Sequence, residues 1–360
     1  MSNEGIFMLP ISVCMIAKNE EQNISKCLAP LKELGFELVI ADTGSTDRTI
    51  ELASQYTKNI YSYSWQNDFS AARNFIISKA TNDWILVVDF DEYLEDYDME
   101  SIKSFLAHHT KEIGTITRRN PCQLLTGQSS IMTELVARFF NRKFHHYEGI
   151  IHEQVFPIDG SEPVYQSIPM CFYHQGYDEP NVTKQKAERN LNLLLLALKT
   201  QPDDPYLLYQ IGKCYQVIKD YPSACDYFDA GLSKDINPEL AYVQDMIEAY
   251  GYCLLEKKDY ATALGLSAVY DLFAHNAEFV FLMGLIYMNN ALFEQAIAEF
   301  QKATTMKSCK IEGTNSYLAN YNIGVIYECM GQEDKAMLYY NQCNTTMPIK
   351  QNPADNIKEG

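Results

Sequence analysis

The chain has 360 residues, enough for roughly two domains with separate cores. Its 47 acidic against 29 basic side chains leave a formal charge of −18, which argues against a nucleic-acid or anionic-membrane binder, because phosphate surfaces require a basic face. No apolar run approaches the ~20 residues that span a bilayer, residues 1–10 lack the basic start and apolar core of a targeting signal, and ten cysteines without a Cys-x-x-Cys read as reduced thiols of a cytoplasmic protein.

From the N-terminus, strand and helix patterns alternate. Ile11-Ser12-Val13-Cys14-Met15-Ile16 reads as a first strand, followed by Asn19-Glu20-Glu21 and an amphipathic helix carrying Ile24, Cys27, Leu28, Leu31 and Leu34. Asn19 with Gln22 three residues on resembles a capping box. A second strand, Phe36-Glu37-Leu38-Val39-Ile40-Ala41, runs into Asp42-Thr43-Gly44-Ser45-Thr46-Asp47 and a helix through Ile50, Ala53 and Tyr56. A short third strand covers residues 59–63, and Asp68-Phe69-Ser70-Ala71-Ala72-Arg73-Asn74 opens the next helix. Such alternation predicts a doubly wound, mostly parallel sheet whose ligands sit outside the carboxyl ends of the strands. Asn19, Asp42, Asp68 and Asp89 all fall there, so four loops should meet over one crevice. Taken singly, Asp42 and Asp47 also suit a turn or helix cap, and Arg73 a surface ion pair.

The fourth strand, Trp84-Ile85-Leu86-Val87-Val88, ends abruptly in Asp89-Phe90-Asp91-Glu92. An uncharged run rich in β-branched residues suits a strand buried on both faces. Side-chain alternation would send Asp89 and Asp91 to one side and Phe90 to the other. Carboxylates so placed suit Mg2+ or Mn2+, hard cations that share oxygen ligands with a substrate diphosphate. Further on, Tyr147-Glu148-Gly149-Ile150-Ile151-His152-Glu153 places acids beside an apolar pair, and Tyr173-His174-Gln175-Gly176-Tyr177 offers a histidine. Those acids could instead pair with Arg138, Arg142 or Lys143.

Ala17-Lys18-Asn19-Glu20-Glu21, the Asp42 to Asp47 segment, Asn67-Asp68-Phe69-Ser70-Ala71-Ala72-Arg73-Asn74 and Asp89-Phe90-Asp91-Glu92 together resemble, in order and spacing, family 2 glycosyltransferases of the GT-A fold. The nearest subgroups are the lipopolysaccharide-core glucosyltransferases and the bacteriocin S-glycosyltransferases. The resemblance implies a nucleotide-sugar site formed by Asn19, Glu20, Asp42, Asp68, Arg73 and Asp89, with Asp42 on the base and Asp89 on the ribose or the metal's waters. It also implies Asp91 and His174 as ligands of Mn2+ or Mg2+, and Glu153 as general base with Glu148 as the fallback. His145, His146 and His152 are less favoured as ligands and could equally shape the acceptor pocket. Phe90 departs from the family pattern, where a small residue is common.

Beyond about residue 180 the strand-like runs give way to helical periodicity. Gly212 with Ala224, Gly251 with Ala263, Gly284 with Ala296 and Gly324 with Ala336 recur at one interval of 12 residues. Tyr215, Tyr287 and Tyr327 follow the glycines by three, and Phe228, Phe300 and Tyr340 follow the alanines by four. This is a tetratricopeptide pattern. Its second repeat is degenerate, with Leu254 and Ser267 where aromatics belong, and the inter-glycine steps of 39, 33 and 40 call for longer loops.

The expected organisation is therefore an α/β GT-A catalytic domain over residues 1–180, an all-α repeat domain over 181–347 and a polar tail over 348–360. The expected activity is metal-dependent, inverting transfer of a hexose, with UDP-glucose the best single donor, to a soluble peptide or glycan acceptor. The repeats would bind the acceptor, mediate homodimerisation, or both. Two other readings are a non-catalytic nucleotide-sugar sensor on a repeat scaffold and a nucleotidyltransferase. The latter normally needs a basic glycine-rich loop, where this chain has Lys18-Asn19-Glu20-Glu21.

Overall fold

The computed structural model describes residues 9–123, 129–175 and 180–346. The chain divides into two compact units, Met1–Cys122 with Thr133–Val182, and Gln123–Met132 with Thr183–Gly360. Gly176, Tyr177 and the expected polar tail lie outside the described residues.

In the first unit the elements run β1 (Ile11–Ala17), α1 (Ile24–Glu33), β2 (Glu37–Asp42), α2 (Thr49–Ala53), β3 (Ile60–Ser62), α3 (Phe69–Lys79) and β4 (Trp84–Val87). They continue as β5 (Glu92–Tyr97), α4 (Met99–His108), β6 (Ile113–Gln123), β7 (Ser129–Asn141), β8 (His145–Glu148), β9 (Gln154–Pro157) and β10 (Tyr165–His174). Eight strands form one sheet in the order β3-β2-β1-β4-β7-β6-β10-β5, while β8 and β9 make a separate antiparallel pair. The β3-β2-β1-β4 half is parallel throughout, as the βα alternation requires. The other half is mixed: β7 joins β4 and β5 joins β10 antiparallel, whereas β6 and β10 are parallel. Apolar side chains cover both faces of the parallel half. Val13, Met15, Leu38, Ile40 and Leu86 pack on one face with α1, and Cys14, Val39, Ala41, Ile85 and Val87 on the other with Ile76 and Ile77 of α3.

Two local expectations change. The α1 helix starts at Ile24 behind Asn23 with no side-chain cap, so Asn19 does not cap it. Asn19 adopts a left-handed backbone (φ 58°), and its side chain serves the neighbouring loop. Strand β4 stops at Val87, which leaves Asp89, Phe90 and Asp91 in a tight turn closed by the Glu92 amide donating to the Asp89 carbonyl (3.0 Å). Phe90 is buried in the core, so the turn itself sends the two acids apart from it.

The second unit is helical: α5 (Pro180–Leu198), α6 (Pro205–Val217), α7 (Tyr221–Leu232), α8 (Ala241–Glu256), α9 (Tyr260–Leu264), α10 (Tyr270–Phe273), α11 (Ala277–Asn289), α12 (Phe293–Thr304), α13 (Tyr317–Cys329) and α14 (Glu333–Thr346). Helices α6/α7, α11/α12 and α13/α14 are hairpins whose crossings need glycine. A methyl group added at Gly212, Gly284 or Gly324 would lie 2.5, 2.6 or 2.5 Å from the ring of Phe228, Phe300 or Tyr340 respectively. These aromatics thus fill the crossing within their own hairpin. In the degenerate repeat no aromatic occupies position 267; Gly251 instead meets Leu282 and Leu266, and the second helix breaks into α9, a 3-10 turn (Gly265–Val269) and α10. Residues 129–132 belong with this unit: Met132 bridges Ile311, and the Ser130 hydroxyl donates to the Glu312 carbonyl (3.0 Å). Among the described residues no helix is long and apolar enough to cross a membrane, and no cysteine forms a disulfide.

Candidate active site

The carboxyl ends of β1, β2 and β4 lie side by side, with Ala17 opposite Asp42 and Cys14 opposite Val87. The loops leaving β1 and β2 are stitched together there. Asn19 Oδ1 accepts from the Thr46 amide (2.8 Å), Glu20 N donates to Thr49 Oγ1 (2.6 Å), and Glu21 N donates to Asp47 Oδ2 (3.2 Å). Asp42 is buried and folds its own turn, its two oxygens accepting from the amides of Gly44 (3.1 Å) and Ser45 (3.2 Å). Glu20 reaches the acidic turn indirectly: Asn23 donates to Glu20 Oε2 (2.8 Å) and accepts from the Tyr93 hydroxyl (2.7 Å). Asp68 caps α3, accepting from the Ala71 amide (2.9 Å).

One turn into α3, Arg73 lies between two acids. Its Nε donates to Glu153 Oε1 (2.5 Å) and its Nη2 to Asp89 Oδ1 (3.0 Å), and only 5% of the residue is exposed. The Glu153 loop is pinned to this helix by the Phe69 amide, which donates to the Ile150 carbonyl (2.9 Å). From Asp89 the charges continue in alternation. Arg138 Nη2 contacts Asp89 Oδ2 (2.8 Å) and Glu92 Oε1 (3.5 Å), and Arg118 Nη1 contacts Glu92 Oε1 (3.1 Å). Arg118 also holds Glu134 Oε1 (2.8 Å), which accepts from Asn120 Nδ2 (2.6 Å); Asn120 Oδ1 faces His174 Nδ1 (2.8 Å). His174 Nε2 stands 3.4 Å from Asp91 Oδ2. An unbroken polar chain therefore runs from Glu153 to Asp91.

Burial would push the Asp89 carboxyl up, but Arg138 and Arg73 outweigh it and hold the group well below the usual carboxylate range. The converse holds for Arg73: burial disfavours its charge, and Asp89 with Glu153 restores it. Burial raises the Tyr147 phenol against the pull of Arg138 and Arg73, and it lowers the His152 imidazole despite Glu153. Arg73 Nη1, Tyr147 Oη and His152 Nε2 are buried with no hydrogen-bond partner among the described residues, and the Arg73 guanidinium lies 5.5 Å from the Tyr147 ring centre. Such atoms are costly unless a ligand or water completes them.

Of the residues singled out in the sequence, Arg73, Asp89 and Glu153 form one contact group, Asp91 and His174 another, and Asn19 and Asp42 organise the adjoining loops. Glu148 does not join them; it pairs with His146 Nε2 (2.9 Å) on the β8 ribbon. The buried His145 contacts the Asn141 carbonyl (3.2 Å). Sequence reasoning missed Arg118, Asn120 and Glu134 altogether and gave Arg138 only as a stray partner. Arg118 and Asn120 are two apart on β6, and Glu134 and Arg138 four apart on β7; period two puts each pair on one face of adjacent strands.

Comparison with known proteins adds to this geometry. A model of family 2 glycosyltransferases matches residues 12–159, and a tetratricopeptide-repeat model matches 277–308 and 317–345. The first of these matches spans the unit that holds the site. The chain is 29% identical over 263 residues to a TPR repeat-containing protein of Synechococcus elongatus, covering 71% of this chain and 63% of that protein. It is 28% identical over 279 residues to the SPbeta prophage-derived glycosyltransferase SunS of Bacillus subtilis, covering 70% and 60%. A shorter match, 29% over 117 residues, links it to the lipopolysaccharide core biosynthesis glycosyltransferase LpsC of Rhizobium meliloti, covering 31% of this chain and 43% of that one. The chain thus spans about three fifths of the length of the first two relatives.

A divalent cation is implied by the family. Among the described residues no three His, Cys, Asp or Glu side chains converge as a closed cage. Asp91 and His174 do present an oxygen and a nitrogen side by side, and Asp89 is engaged by arginines. Two protein donors with the rest left to phosphate oxygens and water is the way Mg2+ is commonly held beside a diphosphate, so the donor set fits.

Proposed function

We propose that the chain is an inverting glycosyltransferase that moves a hexose from a nucleoside diphosphate, best UDP-glucose, to a soluble peptide or glycan acceptor in the cytoplasm. What carries this reading is the polar chain that sets Glu153 at one end and the Asp91–His174 pair at the other, within a family 2 domain. When bound, Mn2+ or Mg2+ would offset the charge that builds on the departing diphosphate. Glu153 would take the acceptor's proton as its nucleophilic atom bonds to the anomeric carbon and the bond from that carbon to the diphosphate oxygen breaks. Arg73 holds Oε1 of that glutamate, which leaves Oε2 for the proton. Asp42, with Asn19 and Glu20 beside it, would face the base and ribose; Asp89 is kept ionised by Arg138 and Arg73 next to them. The unpartnered Arg73 Nη1 and Tyr147 Oη supply polar atoms for sugar hydroxyls or an oxyanion.

The test is calorimetry and product release on paired variants. Glu153→Gln should bind UDP-glucose in Mn2+ like the wild type yet release UDP at least ~100-fold more slowly, the upper part of the range expected for a lost general base being about 10^4. Asp91→Ala should lose the Mn2+ dependence of donor binding. Wild-type turnover by Glu153→Gln would sink the assigned base, and donor uptake indifferent to chelation would sink the cation.

A further inference from the structure

We propose that Asn120 and Glu134 are positioning residues that fix the proton of the His174 imidazole on Nδ1 and so turn the Nε2 lone pair toward Asp91; this rests on the cation reading above. The argument starts from Arg118, whose guanidinium contacts Glu134 Oε1 through both Nε (2.9 Å) and Nη2 (2.8 Å). The same oxygen accepts from Asn120 Nδ2 at 2.6 Å. A carboxylate cannot donate, so it sets which way round the amide lies: the NH2 group faces Glu134 and the carbonyl oxygen faces His174. That carbonyl stands 2.8 Å from His174 Nδ1 and can only accept, so the ring proton resides on Nδ1. Nε2 is then the basic nitrogen, 3.4 Å from Asp91 Oδ2. Adjacent ligands of an octahedral Mg2+-like ion, each bonded at ~2.1 Å, lie about 3 Å apart, so the spacing suits a shared cation.

The supports are rigid. Asn120 is 2% exposed on β6, Glu134 lies on the neighbouring β7, and His174 ends β10 on the other side of β6. Outer partners of ligand histidines set ring orientation and basicity, and their loss commonly costs 10–100-fold in metal affinity.

Full-length protein labelled with 15N-histidine, free of metal at pH 8, would report the tautomer in two-bond 1H–15N spectra, with His174→Gln identifying the resonance. The wild type should show protonated Nδ1. Asn120→Leu should move the ring toward protonated Nε2 and raise the Mn2+ dissociation constant, read by electron paramagnetic resonance, by ~10–100-fold. Asn120→Asp, whose carboxylate also accepts from Nδ1, should keep the wild-type tautomer and bring affinity back to within a few fold. Glu134→Ala, which frees the amide to turn over, should fall between them. A wild-type ring protonated on Nε2, or an Asn120→Leu protein with unchanged tautomer and unchanged Mn2+ affinity, overturns the proposal. A tautomer that responds to Asn120→Leu in a protein that takes up no Mn2+ would uphold the orienting chain and remove the cation reading instead.

Discussion

Both units bury charge, and they treat it in opposite ways. In the α/β unit Glu153, Asp89, Glu92 and Glu134 alternate with Arg73, Arg138 and Arg118, so each of these four acids touches at least one guanidinium. In the repeat unit the buried Asp245 and Glu248 are served by lysines and neutral donors, with no guanidinium among the contacts that hold them. Asp245 has Lys213 (2.9 Å) and the Tyr209 hydroxyl (2.7 Å), which hold it down against burial. Glu248 is left with Asn276 Nδ2 (2.6 Å) and a distant Lys310 (3.6 Å). Burial pushes its carboxyl up to about 8 against the pull of Lys310, and Asp245 and Glu278 add to the rise. A buried acid thus stays ionised where close cations and donors are supplied, as at Asp89 and Asp245, and holds its proton where they are not, as at Glu248.

Removing one cation from each network should separate the two cases most sharply. Arg138→Met leaves Asp89 and the fully buried Glu92 short of a partner, and breaking a buried pair from one side costs ~3–5 kcal/mol. Lys310→Met removes a 3.6 Å neighbour from an acid that is largely neutral at pH 7, so its cost should stay under ~1 kcal/mol. Urea unfolding followed by hydrogen exchange on β7 and on α8 reads the two losses separately. Similar losses for the two variants would mean that the networks are not different in kind.

How much of this was legible in the sequence follows from how far apart the partners lie. The acidic turn and Arg73 could be picked out because strand ends and helix starts are local patterns, and the parallel half of the sheet sets β1, β2 and β4 side by side; Glu153 was reached only through the family resemblance. Glycine spacing likewise exposed the hairpins, since Gly284 must admit the Phe300 ring and the period repeats that need. Asn120, Glu134 and Arg138 were not legible, because their meaning depends on β6 and β7 entering the sheet between β4 and β10, an order no local pattern states. Asn19 misled for a different reason: its offset to Gln22 imitates a cap, but a left-handed backbone turns its side chain to Thr46. In the degenerate repeat the missing aromatic was visible at Ser267, and the 3-10 turn that breaks the second helix contains that residue.

Acidity offers a second way to divide the networks. The depressed Asp89 contributes stability that is complete above the ordinary aspartate value of about 3.9 and is lost as pH falls below it. The raised Glu248 does the reverse: the folded state holds a proton that the unfolded state releases near 4.5, so its contribution is lost as pH rises from there through about 8. Exchange protection in α8 and α11, corrected for intrinsic rates, should therefore decline between pH 5 and pH 8, while β4 and β7 hold steady over that range and loosen only below pH 4. Protection in α8 that is flat from pH 5 to pH 8 would place an unrecognised cation beside Glu248.

The smallest expected effect tests the same point by substitution. Glu248→Gln keeps an oxygen to accept from Asn276 and removes the need for a proton, so it copies the state that the acid itself adopts when neutral. At pH 5 the variant should match the wild type within about 0.5 kcal/mol, the usual scatter for a change that breaks no contact. At pH 8.5 it should be the more stable protein by ~1–3 kcal/mol, the cost of an ionised group buried with incomplete pairing. The corresponding exchange at the other network, Glu92→Gln, should destabilise at both pH values, because there the charge is matched by Arg118 and Arg138 and neutralising it leaves two guanidiniums competing for one amide oxygen. Opposite signs for two Glu→Gln changes at buried sites of one chain would show that partner count, and not depth, decides which acids stay charged.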